Sequence, residues 1–358
     1  MNDLVHLGAG PSFIPDEVKK QVIKEVGEYE DSRLSVLEVS HRSKQFEKTI
    51  YNSEKGLRDL LKIPKDFFVV FIQGGATLQN TLIPLNFSNS RDKLGHIVTG
   101  AWSSKTYNDS SKLRDSNIIF DGKQNNYTST PLASEISTSN NDLVFFTSNE
   151  TIHGVQIRDY TGYGDNLIID MSSDIASRTI NWKNIVCLYA GAQKNLGTAG
   201  VTLLVGRSSE LVDNNLTSYL DLSNHIEKSS LYNTPPILSI VVLEKMIQWL
   251  INKGGLEYFS QQSERKAIMI YDLIDSHGDK LSIPVNHNAR SYSNAVFDFK
   301  EKNHLDLFLK EAEEAGFHGI RGHRDVGGVR VSLYNSIEIK AVEKFSSFFD
   351  NFMKKKLS

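Results

Sequence analysis

The stretch "VCLYAGAQKNLGTAGVTLLVG", Val186–Gly206, decides how this chain is read. Its two apolar runs, Val186–Ala190 and Val201–Gly206, are short and continuous instead of alternating, so they suit strands covered on both faces. Between them stand Gly191, Ala192, Gln193, Lys194, Asn195 and Gly197. Lys194 is the one long cation in a loop of small residues. Two readings compete for it: a solvated loop lysine, which most lysines are, or a desolvated amine of lowered pKa that forms a Schiff base with a carbonyl. It is not a P-loop lysine, because that motif needs Gly before Lys and Ser or Thr after it, and the order here is Gln193, Lys194, Asn195.

Working outward, "FFVVFI" (Phe67–Ile72), "HIVTG", "NIIF", "DLVFFT" and "NLIID" are further short apolar runs. Helical spacing marks Val18, Val22, Ile23 and Val26 after Pro15, and Phe46, Ile50, Leu57, Leu60 and Leu61 before Pro64. A polar helical stretch starts at Trp102. Strand-like runs alternating with helices predict an α/β layer fold with a mostly parallel sheet. Pro235 and Pro236 introduce an amphipathic helix that stops at Gly254 and Gly255, and a second helix runs from Leu256 to Ser276. After Gly278 the pattern changes to an alternating strand (292–299), a helix ending at Gly316, a strand (327–335) and a terminal helix (336–356), which predicts a small C-terminal α+β domain.

A chain of 358 residues exceeds the size at which one core stops growing, so a large domain plus a smaller one is expected. With 39% hydrophobic and 23% charged residues it is an ordinary globular composition, and a net charge of −3 gives no reason to expect nucleic acid or an anionic membrane as partner. The single cysteine, Cys187, excludes an internal disulfide and fits a reducing compartment. No stretch has the form of a signal peptide or a membrane span, so the expectation is a cytoplasmic protein.

In open α/β sheets ligands bind beyond the carboxyl ends of the strands. After Phe67–Ile72 come Gly74, Gly75, Ala76 and Thr77 at a helix start, where free N–H groups favour a phosphate or make only a tight turn. Asp170 follows another run and either caps Ser172 or Ser173 or faces a cation. Trp102 reads as core or as a stacking face. "GHRDVGGVR", Gly322–Arg330, gathers His323, Arg324 and Arg330 in a glycine-rich turn suited to carboxylate or phosphate capture.

Taken together, "EVSHRS" (38–43), "GGA" with "LQ" (74–79), "GAWSSK" (100–105), "NETIHG" (149–154), "YAGAQKNLG" (189–197), "YNTPP" (232–236) and "GHRDVGGVRVSLYN" (322–335) resemble the phosphoserine aminotransferase family, class V aminotransferases of pyridoxal phosphate fold type I. The resemblance implies a large domain with a seven-stranded, mostly parallel sheet flanked by helices. It implies an N-terminal arm over residues 1–15, a cofactor domain over 16–255, and a linking helix with the small domain over 256–358. It implies pyridoxal 5'-phosphate bound through Lys194, with Asp170 on the pyridine nitrogen, Trp102 on the ring face and Thr151 near the 3-hydroxyl. Ala76, Thr77 and Gln193 would hold the phosphate, and Asn233 and Thr234 would complete that cradle from a second subunit of a homodimer.

By the same resemblance Arg330 would clamp the substrate α-carboxylate. His41 and Arg42 of the second subunit, with His323 and Arg324, would bind the substrate phosphate. The implied reaction passes an amino group from L-glutamate to 3-phosphohydroxypyruvate by ping-pong kinetics, giving O-phospho-L-serine and 2-oxoglutarate. Related chemistry in pyridoxine biosynthesis is a second role that the sequence neither requires nor excludes. Some relatives carry an arginine where Thr77 stands, which leaves the backbone cradle unaltered. The rival readings are an alanine or serine to glyoxylate aminotransferase, a desulfurase, or a non-catalytic binding protein. A desulfurase needs a mobile cysteine where Cys187 sits in a strand-like run, and a binding module has no use for Lys194 and Asp170 together.

Overall fold

The computed structural model describes residues 4–356. Its centre is a seven-stranded sheet built from β1 (Phe67–Ile72), β2 (Lys93–Val98), β3 (Asp115–Asp121), β4 (Leu143–Thr147), β5 (Leu167–Asp170), β6 (Ile185–Gly191) and β7 (Thr202–Arg207). The strand order is β1-β7-β6-β5-β4-β2-β3, and only β7 runs against the others. Six strands therefore share one carboxyl edge.

The unbroken apolar runs follow from what covers the sheet. In β1, Phe67, Val69 and Phe71 enter one core, with residues of α1 (Asp16–Gly27), α2 (Lys44–Leu61) and α6 (Ile237–Asn252), while Phe68, Val70 and Ile72 enter another with Leu82, Ile83 and Phe87 of α3 (Gly75–Phe87) and Leu222 of α5 (Leu222–Glu227). Successive side chains point to opposite faces and both faces are dry, so no position favours a polar residue. At about 2 kcal/mol for each large apolar side chain buried, this strand alone makes a substantial gross contribution. α2 begins where Ser43 Oγ accepts the Phe46 N–H at 3.2 Å and ends at Lys62 in the left-handed region (φ 56°).

A second core gathers α7 (Gly255–Ser276), α8 (Lys302–Glu314), α9 (Ile339–Lys356) and an antiparallel sheet of β8 (Leu281–Ser282), β9 (Asn294–Phe299) and β10 (Val329–Ser332). Phe297, Phe299, Phe308, Phe345, Phe349 and Phe352 fill it with ring contacts. The chain start joins this second core: Val5 and His6 pair in parallel with Phe317 and His318, and Leu7 is fully buried there. No helix among the described residues is long and apolar enough to cross a membrane.

Candidate active site

The shared carboxyl edge faces a cavity of about 460 Å³. Lys194 lies just past β6 and is partly buried on the cavity wall. It makes no hydrogen bond or ion pair among the described residues, and its Nζ stands 5.8 Å from the centre of the Trp102 ring. Burial pushes its amine down, against the charges of Asp170, Glu150 and Asp174. Gly10, at φ 135° in a region that favours glycine, lets the N-terminal segment cross beside it, within van der Waals reach of Lys194 Cγ. The Ser12 N–H fixes that crossing by donating to Gln193 O at 2.8 Å.

Asp170 ends β5 and is 8% exposed. Its Oδ1 accepts the Ser172 N–H at 2.8 Å, so capping takes one oxygen and leaves the other to the cavity. Burial pushes its carboxyl up, while Ser172 and the Lys194 charge pull it down. A cation brought to that face would keep the carboxylate ionised.

Gly74, in the left-handed region at φ 90°, turns the chain from β1 into α3, and no side chain caps that helix. Its first-turn amides at Gly75, Ala76 and Thr77 border the cavity, as does Gln193. Trp102, on α4 (Ala101–Ser110), is 39% exposed and donates Nε1–H to Thr151 Oγ1 at 2.9 Å. Arg330 reaches in from β10: Nη1 donates to Thr151 O at 3.3 Å, and its buried Nε has no partner. His323 lines the same wall. Beside it His153, tilted at 52° against Tyr127 with ring centres 4.6 Å apart, is pushed down by burial to about 4 and is neutral at neutral pH.

Ala76, Thr77, Trp102, Thr151, Asp170, Gln193, Lys194, His323 and Arg330 thus meet at one cavity. His41, Arg42, Asn233, Thr234 and Arg324 do not line it. The Arg324 side chain is 90% exposed. Asn233 Nδ2 donates to Gln73 Oε1 at 3.1 Å, and Gln73 Nε2 donates to Thr234 O at 3.3 Å, outside the cavity. Sequence reasoning assigned no role to Glu150, fully buried against the start of α4, although it lies inside a stretch already singled out. It also missed Asn195 and Asn335, which join the loop after β6 to the turn after β10 through a 2.9 Å bond from the Asn335 N–H to Asn195 Oδ1.

A partnerless amine, a buried carboxylate, an exposed indole face and an open helix start around one cavity fit a carbonyl-bearing, phosphorylated aromatic cofactor. The family model for class-V aminotransferases matches residues 5–345, and the chain belongs to that family, whose cofactor is pyridoxal phosphate. Within it, the chain is 40% identical to the phosphoserine aminotransferase of Halalkalibacterium halodurans, over 98% of this chain and 99% of the relative. The Bacillus subtilis phosphoserine aminotransferase is 34% identical over 98% of this chain and 99% of its own. The solved phosphoserine aminotransferase of Bacillus circulans subsp. alkalophilus superposes with a TM-score of 0.94 at 34% identity, covering 98% of each chain.

Proposed function

We propose that this chain transfers the amino group of L-glutamate to 3-phosphohydroxypyruvate, giving O-phospho-L-serine and 2-oxoglutarate in serine biosynthesis. The observation that carries the reading is Lys194 without a polar partner, set in one cavity with Asp170, Trp102 and the open start of α3. Pyridoxal phosphate, when bound, supplies the electron sink for loss of the substrate Cα proton. Lys194 is the nucleophile that holds it and, once released, the base that takes the proton from the substrate Cα. Asp170 keeps a proton on the ring nitrogen. The α3 amides and Gln193 take the cofactor phosphate, and Trp102 covers the ring.

Arg330, with an unpartnered Nε and a guanidinium edge at the cavity, takes the α-carboxylate shared by both amino acids. His323 takes part of the substrate phosphate. His41, Arg42, Asn233 and Thr234 serve the cavity of a second copy in a homodimer. Exposed Leu34, Leu37 and Tyr51, near His41 and Arg42 in sequence, support such an interface. The two cores support a division into a cofactor domain and a small domain, and buried Cys187 supports a reducing, cytoplasmic location.

Borohydride reduction of the purified holoenzyme followed by peptide mapping tests the assignment. The expected product carries the pyridoxyl group on Lys194. A label on any other lysine, or none, sinks the mechanism.

A further inference from the structure

Glu150 follows β4 and is fully buried, yet its carboxylate serves a different element. Oε2 accepts the Trp102 N–H at 3.0 Å, and Oε1 accepts the Ser103 N–H at 2.7 Å and the Ser103 hydroxyl at 2.6 Å. The N-cap of α4 is Gly100, which has no side chain to offer, so the first-turn amides are met from outside the helix. Room for this exists only because residue 100 is glycine: a Cβ there would lie 2.4 Å from Glu150 Cδ.

The charge state of Glu150 follows from its partners. Ser103 Oγ already accepts the Thr99 and Gly100 N–H groups at 3.0 and 3.1 Å, and of the two acceptors open to its own proton, Gly100 O at 3.2 Å and Glu150 Oε1 at 2.6 Å, the shorter and charged one is Glu150. Every group facing the carboxyl is then a donor, and only the ionised form accepts from all of them. Burial, with the Asp170 charge, holds the Glu150 carboxyl above the usual carboxylate range, and the Ser103 and Trp102 bonds oppose that push. The neighbouring residue, Thr151, accepts the indole N–H of the same tryptophan. Two consecutive residues therefore hold Trp102 at its backbone and at its ring.

We propose that Glu150 is a positioning residue for the transamination: ionised, it fixes the plane of Trp102 against the cofactor and places a second buried negative charge beside Lys194. The inference rests on the function proposed above. The groups sharing this charge are Asp170 at the end of β5, Lys194, the Tyr189 phenol on β6 and the Tyr127 phenol, with Arg330 acting on Lys194 in the opposite sense. Glu150 stands next to Asp170 among the charges that raise the lysine's proton affinity.

The test is the pH dependence of the visible absorption and circular dichroism of the lysine-bound cofactor in the holoenzyme. E150Q keeps the side-chain size and removes the charge. Its absorption midpoint is expected to fall by roughly half a pH unit or more, because a nearby anion no longer favours the protonated linkage. E150D keeps the charge but shortens the reach. It is expected to leave the midpoint within about a quarter unit of wild type while weakening the cofactor's dichroism. In kcat, E150Q is expected to cost about tenfold in the wild-type background and less on W102F, since the part of its effect that passes through the indole is already lost there while the charge on Lys194 still counts.

A midpoint unmoved in E150Q, or losses that simply multiply in the double variant, overturns the proposal. If E150Q does not fold, E150D decides: unaltered dichroism refutes the positioning role. Should borohydride leave Lys194 of the wild type unlabelled, the functional reading fails. Should it label Lys194 while E150Q titrates like wild type, only this inference fails.

Discussion

Replacing Lys266 by methionine tests how the two cores are locked together across the site. Lys266 lies on α7 and is 1% exposed, and its Nζ donates to Leu333 O and Tyr334 O at 2.8 Å and to Ile337 O at 2.9 Å. Those carbonyls belong to the turn after β10, the strand of Arg330, and Asn335 in the same turn bonds Asn195 beside Lys194. Burial pushes the Lys266 ammonium down from 10.5 to about 7. At ~1.36 kcal/mol per pH unit, that fall corresponds to about 5 kcal/mol. The unfolded chain keeps this proton up to its ordinary pKa, whereas the folded chain releases it from about pH 7. The unfolded state therefore binds more protons in that window, and the stability contributed by Lys266 rises with pH from about 7 towards 10.5. Methionine has no proton to lose and leaves the Leu333 and Ile337 carbonyls unpartnered, at a cost of about 1–3 kcal/mol each where water does not reach them, while Tyr334 O still accepts the Ile337 N–H at 2.9 Å.

Urea unfolding of wild type and K266M, compared at matched pH and protein and cofactor concentration, isolates this group because the other titrations cancel. The deficit of K266M is expected to widen by several kcal/mol, on the order of 2 to 5, between about pH 7 and about pH 10. A deficit that stays level across the window means that the three carbonyls hold Lys266 at its ordinary pKa, and refutes the argument from burial.

Two substitutions address substrate selection. Arg330→Lys keeps the charge and loses the planar fork, so kcat/KM for glutamate and for phosphoserine should both fall by roughly 30-fold or more in steady-state assays, and wild-type values would remove Arg330 from the carboxylate site. Arg42→Ala should raise KM for phosphorylated substrates at least about tenfold while leaving glutamate within about twofold, because a lost phosphate contact to a charged group is worth about 1.5–3 kcal/mol. Equal losses on both substrates would remove the phosphate assignment.

What could be read from the residues, and what could not, divides along a physical line. Six strands of the large sheet were legible because each is dry on both faces, the edge strand β3 being the exception, and Lys194, Asp170 and the glycines before Ala76 were legible because each ends or follows such a strand. Local spacing was enough to find them. Glu150 caps a helix 48 residues away from it in sequence, so no cap motif of three or four residues could announce it. The parallel pair of Val5–His6 with Phe317–His318 likewise depends on two segments from opposite ends of the chain, and each is too short to carry an alternating pattern. Lys266 sits in a helix where a lysine ordinarily marks the wet face, and only the turn at Leu333–Ile337 makes it a buried donor. In each case the residue type is informative only once its partner is known. That explains why the chemistry that breaks a bond was visible in the sequence, while the groups that aim it, Glu150 on Trp102 and Lys266 on the Arg330 turn, emerge only where separate elements meet.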